Sequence, residues 1–205
     1  MMKKAIKRRD LITGSLVAAG ASILPARAFA SPSSVLPQQR KLIGIAQQQM
    51  DRLGGKLWRR DKVGLVDFSL PSHQPRLFVV DMLAGSIKSH LVAHGRGSDP
   101  QHDGWLKSFS NTRGSLATSR GAYITMDWYK GKYGSSMRLD GLDTDNNQAL
   151  ERAIVLHEAW YAAPDMVSKW GKLGRSEGCF AVSPGLNKEM LYHLGGGRLI
   201  YADKL

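Results

Sequence analysis

The chain is predicted to be mainly β, with short strands and few helices, and three observations carry that expectation. From Val63 onward, β-branched and aromatic residues gather in runs at 63–68, 76–82 and 87–93, separated by turn residues. Only two stretches, 38–53 and 184–194, carry helical periodicity or helical punctuation. No internal repeat is found, which argues against a solenoid or propeller.

In chain order, residues 1–30 read as a leader. Lys3, Lys4, Lys7, Arg8 and Arg9 form a positive start, Leu11 to Leu24 a mildly apolar stretch, and Ala28-Phe29-Ala30 an A-x-A cleavage site. The apolar stretch is too short to span a bilayer, which needs about 20 residues. Arg8-Arg9-Asp10-Leu11-Ile12 resembles a twin-arginine signal, with the general secretory route as the alternative. Residues 31–62 read as a Ser/Pro-rich linker followed by a helix from Gln38 to Leu53. Leu42, Ala46, Met50 and Leu53 make one apolar stripe on that helix, and Gly54-Gly55 ends it. The domain proper is expected over 63–205.

Leu77 to Asp81, followed by Gly85-Ser86-Ile87, reads as a hairpin, and Gly95 to Ser115 as a long loop. Thr118 to Ile124 is a turn leading into a core strand, and Tyr129 to Leu142 is a second hairpin expected to turn at Lys130-Gly131. Ile154 to His157 reads as a buried strand, and Ala159 to Leu173 as irregular. After Cys179 a short strand reaches Val182. Ser183 then stands at a helix N-cap with Pro184 at the first helical position, Gly195-Gly196-Gly197 stops that helix, and Arg198 to Ala202 closes as a strand.

Charge and cysteine usage narrow the function. The 205 residues carry a net charge of +12; the leader holds six Lys/Arg and one Asp, so +7 remains after cleavage. These basic residues are scattered and form no nucleic-acid stripe, and an anionic extracellular polymer matches them better. The chain has a single cysteine, Cys179. A lone cysteine in an exported chain has no internal disulfide partner, and a thiol is a hazard in an oxidising compartment unless it is used. The competing reading is a buried cysteine acting as a small hydrophobe.

The surroundings of Cys179 favour chemistry. Gly174-Arg175-Ser176-Glu177-Gly178-Cys179 flanks the thiol with glycines, which let backbone approach closely, and with Arg175, which favours the thiolate. His157 ends a buried strand and is the best-placed base. Other histidines suggest no metal. His90 and His94 lie on a strand rather than a helix, and Tyr161 stands where a zinc-protease signature beginning at His157-Glu158 needs its second ligand. His73, His102 and His193 read as surface or loop residues.

The order His157, then Ser176-Glu177-Gly178-Cys179-Phe180-Ala181, then helix and strand, resembles the L,D-transpeptidase (YkuD-like) catalytic domain over about Val63 to Asp203. It is most similar to a divergent subgroup. Eighteen residues separate His157 from Ser176, Glu177 replaces a histidine of the usual motif, and Ala181 replaces an Asn or Arg. The resemblance implies a β-sandwich with short peripheral helices and cysteine acyl transfer on peptidoglycan stem peptides in the periplasm. It implies Cys179 as nucleophile, His157 as base, and Gly178 and Cys179 as oxyanion donors. It adds Tyr123, Ser119 and Asn111 as substrate-binding candidates, beside three read from their own positions: Arg175, whose planar fork suits a substrate carboxylate, Ser176 next to the glycine turn, and His94 at the start of the long loop. No cofactor, metal, nucleic acid or lasting membrane span is expected, and the protein is expected to be a monomer. Cross-linking, carboxypeptidase activity and a non-catalytic wall-binding domain remain as alternatives, and Glu177 is expected to face solvent or pair with Arg175.

Overall fold

The computed structural model describes residues 36–132 and 134–205; the leader and cleavage site expected over residues 1–30 lie outside them. A compact unit runs from Val35 to Leu205. Its strands are β1 (Lys62–Asp67), β2 (Leu77–Asp81), β3 (Ser86–His90), β4 (Gly121–Gly131), β5 (Gly134–Gly141), β6 (Val155–Glu158), β7 (Phe180–Val182) and β8 (Leu199–Asp203). The helices are α1 (Pro37–Leu53), α2 (Pro164–Trp170) and α3 (Pro184–Leu194).

All eight strands join one sheet in the order β3-β2-β1-β8-β4-β5-β6-β7. The β1–β8 and β6–β7 pairs are parallel and the others antiparallel. The sheet curls. β2 is next to one end of the strand order and β7 is the other end, yet Val79 and Phe180 share one core cluster, and the Ala93 N–H donates to the Ala181 carbonyl at 2.8 Å. The two layers of the sandwich are therefore two arms of a single sheet.

Strand alternation divides the apolar residues between two faces. Val66, Leu77, Val79, Tyr123 and Ile200 face the interior of the curl with Met190 and Leu194 of α3. Val63, Leu65, Phe78 and Val80 face outward, where Leu42, Ala46, Met50 and Leu53 of α1 cover them. A bidentate pair fastens α1 to the β5–β6 connection, with Arg52 Nη1 at 2.7 Å and Nη2 at 3.0 Å from the two Asp143 carboxylate oxygens.

Two local expectations are corrected. The stretch 159–173 is not irregular: a short 3₁₀ turn and then α2 occupy it, with Pro164 in the first turn and Gly171 closing the helix at φ +69. Met166 and Val167 dock it onto Ala159, Ala162 and Ala181. The second hairpin turns beyond Lys130-Gly131, since Gly131 pairs with Gly134, and its first strand reaches back to Gly121. Ser183 holds the N-cap position of α3 as expected, without a side-chain cap bond. Among the described residues no helix is long and apolar enough to cross a membrane.

Candidate active site

Parallel pairing of β6 with β7 sets the site. His157 lies opposite Ala181 and Leu156 opposite Phe180. Side chains alternate along a strand, so Leu156 and Phe180 enter the core while His157 and Ala181 share the other face. Cys179, two residues before Ala181, continues that face diagonally from His157. Both line a cleft of about 590 Å³ together with Arg152, Tyr161, Arg175 and Glu177.

The loop before Cys179 is held by backbone and by one hydroxyl. The Ser176 N–H donates to the His94 carbonyl at 2.9 Å, and the Arg96 N–H donates to the Ser176 carbonyl at 2.8 Å. Ser176 Oγ accepts the Gly178 N–H at 3.2 Å and donates to the Cys179 carbonyl at 2.7 Å, which closes the turn. Gly178 has φ +117, and a Cβ on it would fall 2.8 Å from the Ala117 carbonyl oxygen and 2.9 Å from Ile154 Cδ1. Only glycine fits such a position.

The half-buried thiol of Cys179 lies 3.6 Å from the Ala153 carbonyl. Burial pushes its pKa up, the Val155 N–H and the Arg152 guanidinium pull it down, and Glu177 pushes it up again; the net shift is upward. His157 is buried, and burial holds its pKa below the ordinary imidazole value. Its Nδ1 lies 2.8 Å from the Glu158 carbonyl, which can only accept, so Nδ1 carries the proton and Nε2 the lone pair. At neutral pH the two groups are thus a thiol and a neutral imidazole.

The remaining candidates separate. Arg175 and Ser176 line the cleft with Cys179. Arg175 Nη1 donates to the Asp99 carbonyl and, at 3.3 Å, to that of Pro100. Tyr123, Ser119 and His94 are interior instead. The Tyr123 hydroxyl bonds the Ser119 carbonyl and hydroxyl, each at 2.7 Å, inside the core. His94 joins a buried chain, with Arg76 Nη2 donating to its Nδ1 at 2.7 Å and its Nε2 3.3 Å from Asp99. The Asp99 carboxylate also accepts the Asp103 and Gly104 N–H groups. These contacts fix the backbone that carries the loop before Cys179. Asn111 lines a different hollow, of about 710 Å³, and donates to Thr144 and Asn147. Glu177 pairs with Arg96 at 3.0 Å rather than with Arg175.

Arg152 was not a candidate from the sequence. Its guanidinium donates to the carbonyls of Ser110 and Ala117 and, at 3.4 Å, to Ser115 Oγ, and Nη2 stands 3.3 Å from where a Gly178 Cβ would be. Arg152, not Arg175, is the cation whose charge bears on the thiol. Among the described residues no group of three or more His, Cys, Asp or Glu side chains is placed to hold a metal.

The family model described as L,D-transpeptidase catalytic domain, YkuD_2, matches residues 38–202. No curated protein matches the sequence. Among solved structures, an L,D-transpeptidase from Mycobacterium smegmatis is 14% identical over 70% of this chain and 58% of its own, with a TM-score of 0.41. L,D-transpeptidase 3 from Mycobacterium tuberculosis, solved with a faropenem-derived adduct, is 12% identical over 70% of this chain and 60% of its own, with a TM-score of 0.44. The helical cell shape determining protein Pgp2 from Campylobacter jejuni is 13% identical over 78% of this chain and 54% of its own, also with a TM-score of 0.44. This chain therefore spans less than two thirds of the length of each. With the family model matching most of its length, the chain belongs to the L,D-transpeptidase catalytic-domain family.

Proposed function

We propose that this protein is an exported, periplasmic cysteine L,D-transpeptidase that cross-links peptidoglycan stem peptides. The observation that carries this reading is the placement of His157 on β6 and of Cys179 immediately before the parallel strand β7, both lining one cleft. The thiol is protonated at rest and the imidazole neutral, so His157 Nε2 takes the thiol proton as sulfur attacks the substrate carbonyl. The backbone N–H of Cys179 is the proposed oxyanion donor, since that of Gly178 is engaged with Ser176 Oγ. The tetrahedral adduct collapses by breaking the C–N bond to the terminal D-amino acid, whose amine leaves with the proton held by His157. A thioester on Cys179 results. The amine of a second stem peptide then attacks the thioester, His157 takes its proton, and the thiolate leaves and is reprotonated.

Arg175 is the proposed contact for a substrate carboxylate at the cleft wall, anchored through Nη1 to the Asp99 and Pro100 carbonyls. Purified stem-peptide substrate incubated with the protein tests the reading. Released D-amino acid together with a cross-linked dimer is the expected result, and both disappear in Cys179→Ala. Full activity of that variant would overturn the proposal.

A further inference from the structure

On the α3 side of the sheet, sharing no lining residue with the cleft at Cys179, lies a second hollow of about 780 Å³. Three aromatic side chains border it and stay in solvent: Trp58 and Trp128 are each 65% exposed and Tyr192 is 80% exposed. Large aromatics gain by burial, so an exposed set facing one hollow calls for a reason. Two backbone features put the indoles there.

The first is a bulge in β4. Thr125 pairs with Leu139 and Trp128 with Met137, so three steps on β4 face two on β5. Simple alternation from Tyr123 would turn residue 128 outward, toward the α1 face. The extra residue instead sets Trp128 on the same face as core Met137, beside α3. The second is the glycine run after α3. Gly197 has φ +83, and a Cβ there would fall 2.5 Å from Trp58 Cβ, Cδ2 and Cε3, so the indole packs directly on the glycine backbone. The Trp58 N–H donates to the Gly197 carbonyl at 3.0 Å, and the neighbouring Arg59 guanidinium lies along Gly196. The run that ends α3 thus also seats an aromatic and a cation.

The geometry points to a saccharide-binding site for the glycan backbone of the wall polymer, a chain of β-linked N-acetylated amino sugars. This rests on the reading of the protein as a peptidoglycan enzyme. A pyranose ring offers an apolar C–H face to a flat aromatic and a rim of hydroxyl and acetamide groups to charged side chains. Trp58, Trp128 and Tyr192 supply the first; Arg59, Lys188 and Asp127 supply the second. The volume falls within the roughly 300–1,000 Å³ usual for small-ligand sites. Charge agrees as well. Asp127 is paired with Arg138 and Arg198 with Asp61, so Arg59 and Lys188 give the rim a positive balance toward a polymer bearing stem-peptide carboxylates.

Titration of the protein with the β-1,4-linked tetramer of N-acetylglucosamine, followed by tryptophan fluorescence and calorimetry, tests the site. Saturable binding is expected, weakened at least about tenfold in Trp128→Ala and in Tyr192→Ala, a loss typical of a buried aromatic contact. Carbapenem acylation at Cys179 should be unchanged in both variants, which also reports that they fold. No saturation by about 10 mM sugar, well beyond any useful affinity, would overturn the proposal. So would equal binding by wild type and both variants, or a concentration-dependent dimer that Trp128→Ala abolishes, since a second copy would then be the occupant. Sugar binding without acylation would count against the enzyme reading alone, and acylation without sugar binding against this site alone.

Discussion

Gly178→Ala probes how tightly the proposed nucleophile is placed. At φ +117 an alanine pays backbone strain of about 1–3 kcal/mol. Its Cβ would also meet the Ala117 carbonyl oxygen at 2.8 Å, Ile154 Cδ1 at 2.9 Å and Arg152 Nη2 at 3.3 Å. Two of these neighbours are hard to move, because the Ala117 carbonyl is bound by Arg152 and Ile154 is in the core. Overpacking of this kind costs about 1–3 kcal/mol more, giving roughly 2–6 kcal/mol in all. Relief by shifting the loop would displace Cys179, and a misplacement near 1 Å is worth about a hundredfold in rate. Thermal melting and carbapenem acylation kinetics should therefore both fall, acylation by at least about tenfold. Gly171→Ala is the control for strain alone, with φ +69 and nothing within 4 Å of its Cβ, so it should lower stability by only about 1 kcal/mol and leave acylation unchanged. Wild-type stability and acylation in Gly178→Ala would refute the argument.

His157→Ala should slow acylation by about 10²–10⁴, the usual contribution of a positioned base. Since burial holds the His157 imidazole below its ordinary value and pushes the Cys179 thiol above its own, the wild-type rate should hold level through neutral pH and fall only at pH below the ordinary imidazole range. In His157→Ala that acid limb should vanish, and the rate should climb about tenfold per pH unit with the thiolate fraction. A stopped-flow pH profile of both proteins checks this. Arg152→Gln leaves the Ser110 and Ala117 carbonyls without their charged donor and removes the cation near the thiol. It should cost about 2–4 kcal/mol of stability and raise the labelling pKa of Cys179 further. Glu177→Gln removes an exposed pair with Arg96, worth at most about 1 kcal/mol, and a charge that disfavours the thiolate. Acylation should stay the same or rise up to about twofold, and a large loss would give Glu177 a role that this account denies it.

Much of this was legible in the sequence where the signal is local. The β2–β3 hairpin and α3 are marked by their own turn residues, by Pro184 and by Gly195-Gly196-Gly197. The α1 stripe of Leu42, Ala46, Met50 and Leu53 is the stripe that is buried. What escaped depends on distant contacts. Arg152 bonds carbonyls at Ser110 and Ala117, and Arg96 meets Glu177 from 81 residues away. No spacing rule joins such positions. Helix α2 was hidden because seven residues carry too little periodicity and its apolar anchors are only Met166 and Val167. Family resemblance put Tyr123 and Ser119 near the cleft, and its place before the long loop put His94 there, but β4 turns Tyr123 into the core, where its hydroxyl binds Ser119, and His94 is drawn inward by Arg76 and Asp99. The two indoles of the second hollow depend on a bulge and a glycine contact that composition does not reveal.

The proposed nucleophile is tested most directly by intact-mass analysis of the folded protein after exposure to a carbapenem. A single adduct is expected on the wild type, mapped to the peptide containing Cys179, and none on Cys179→Ala. An unmodified wild-type protein, or an adduct that persists in Cys179→Ala, would contradict the account.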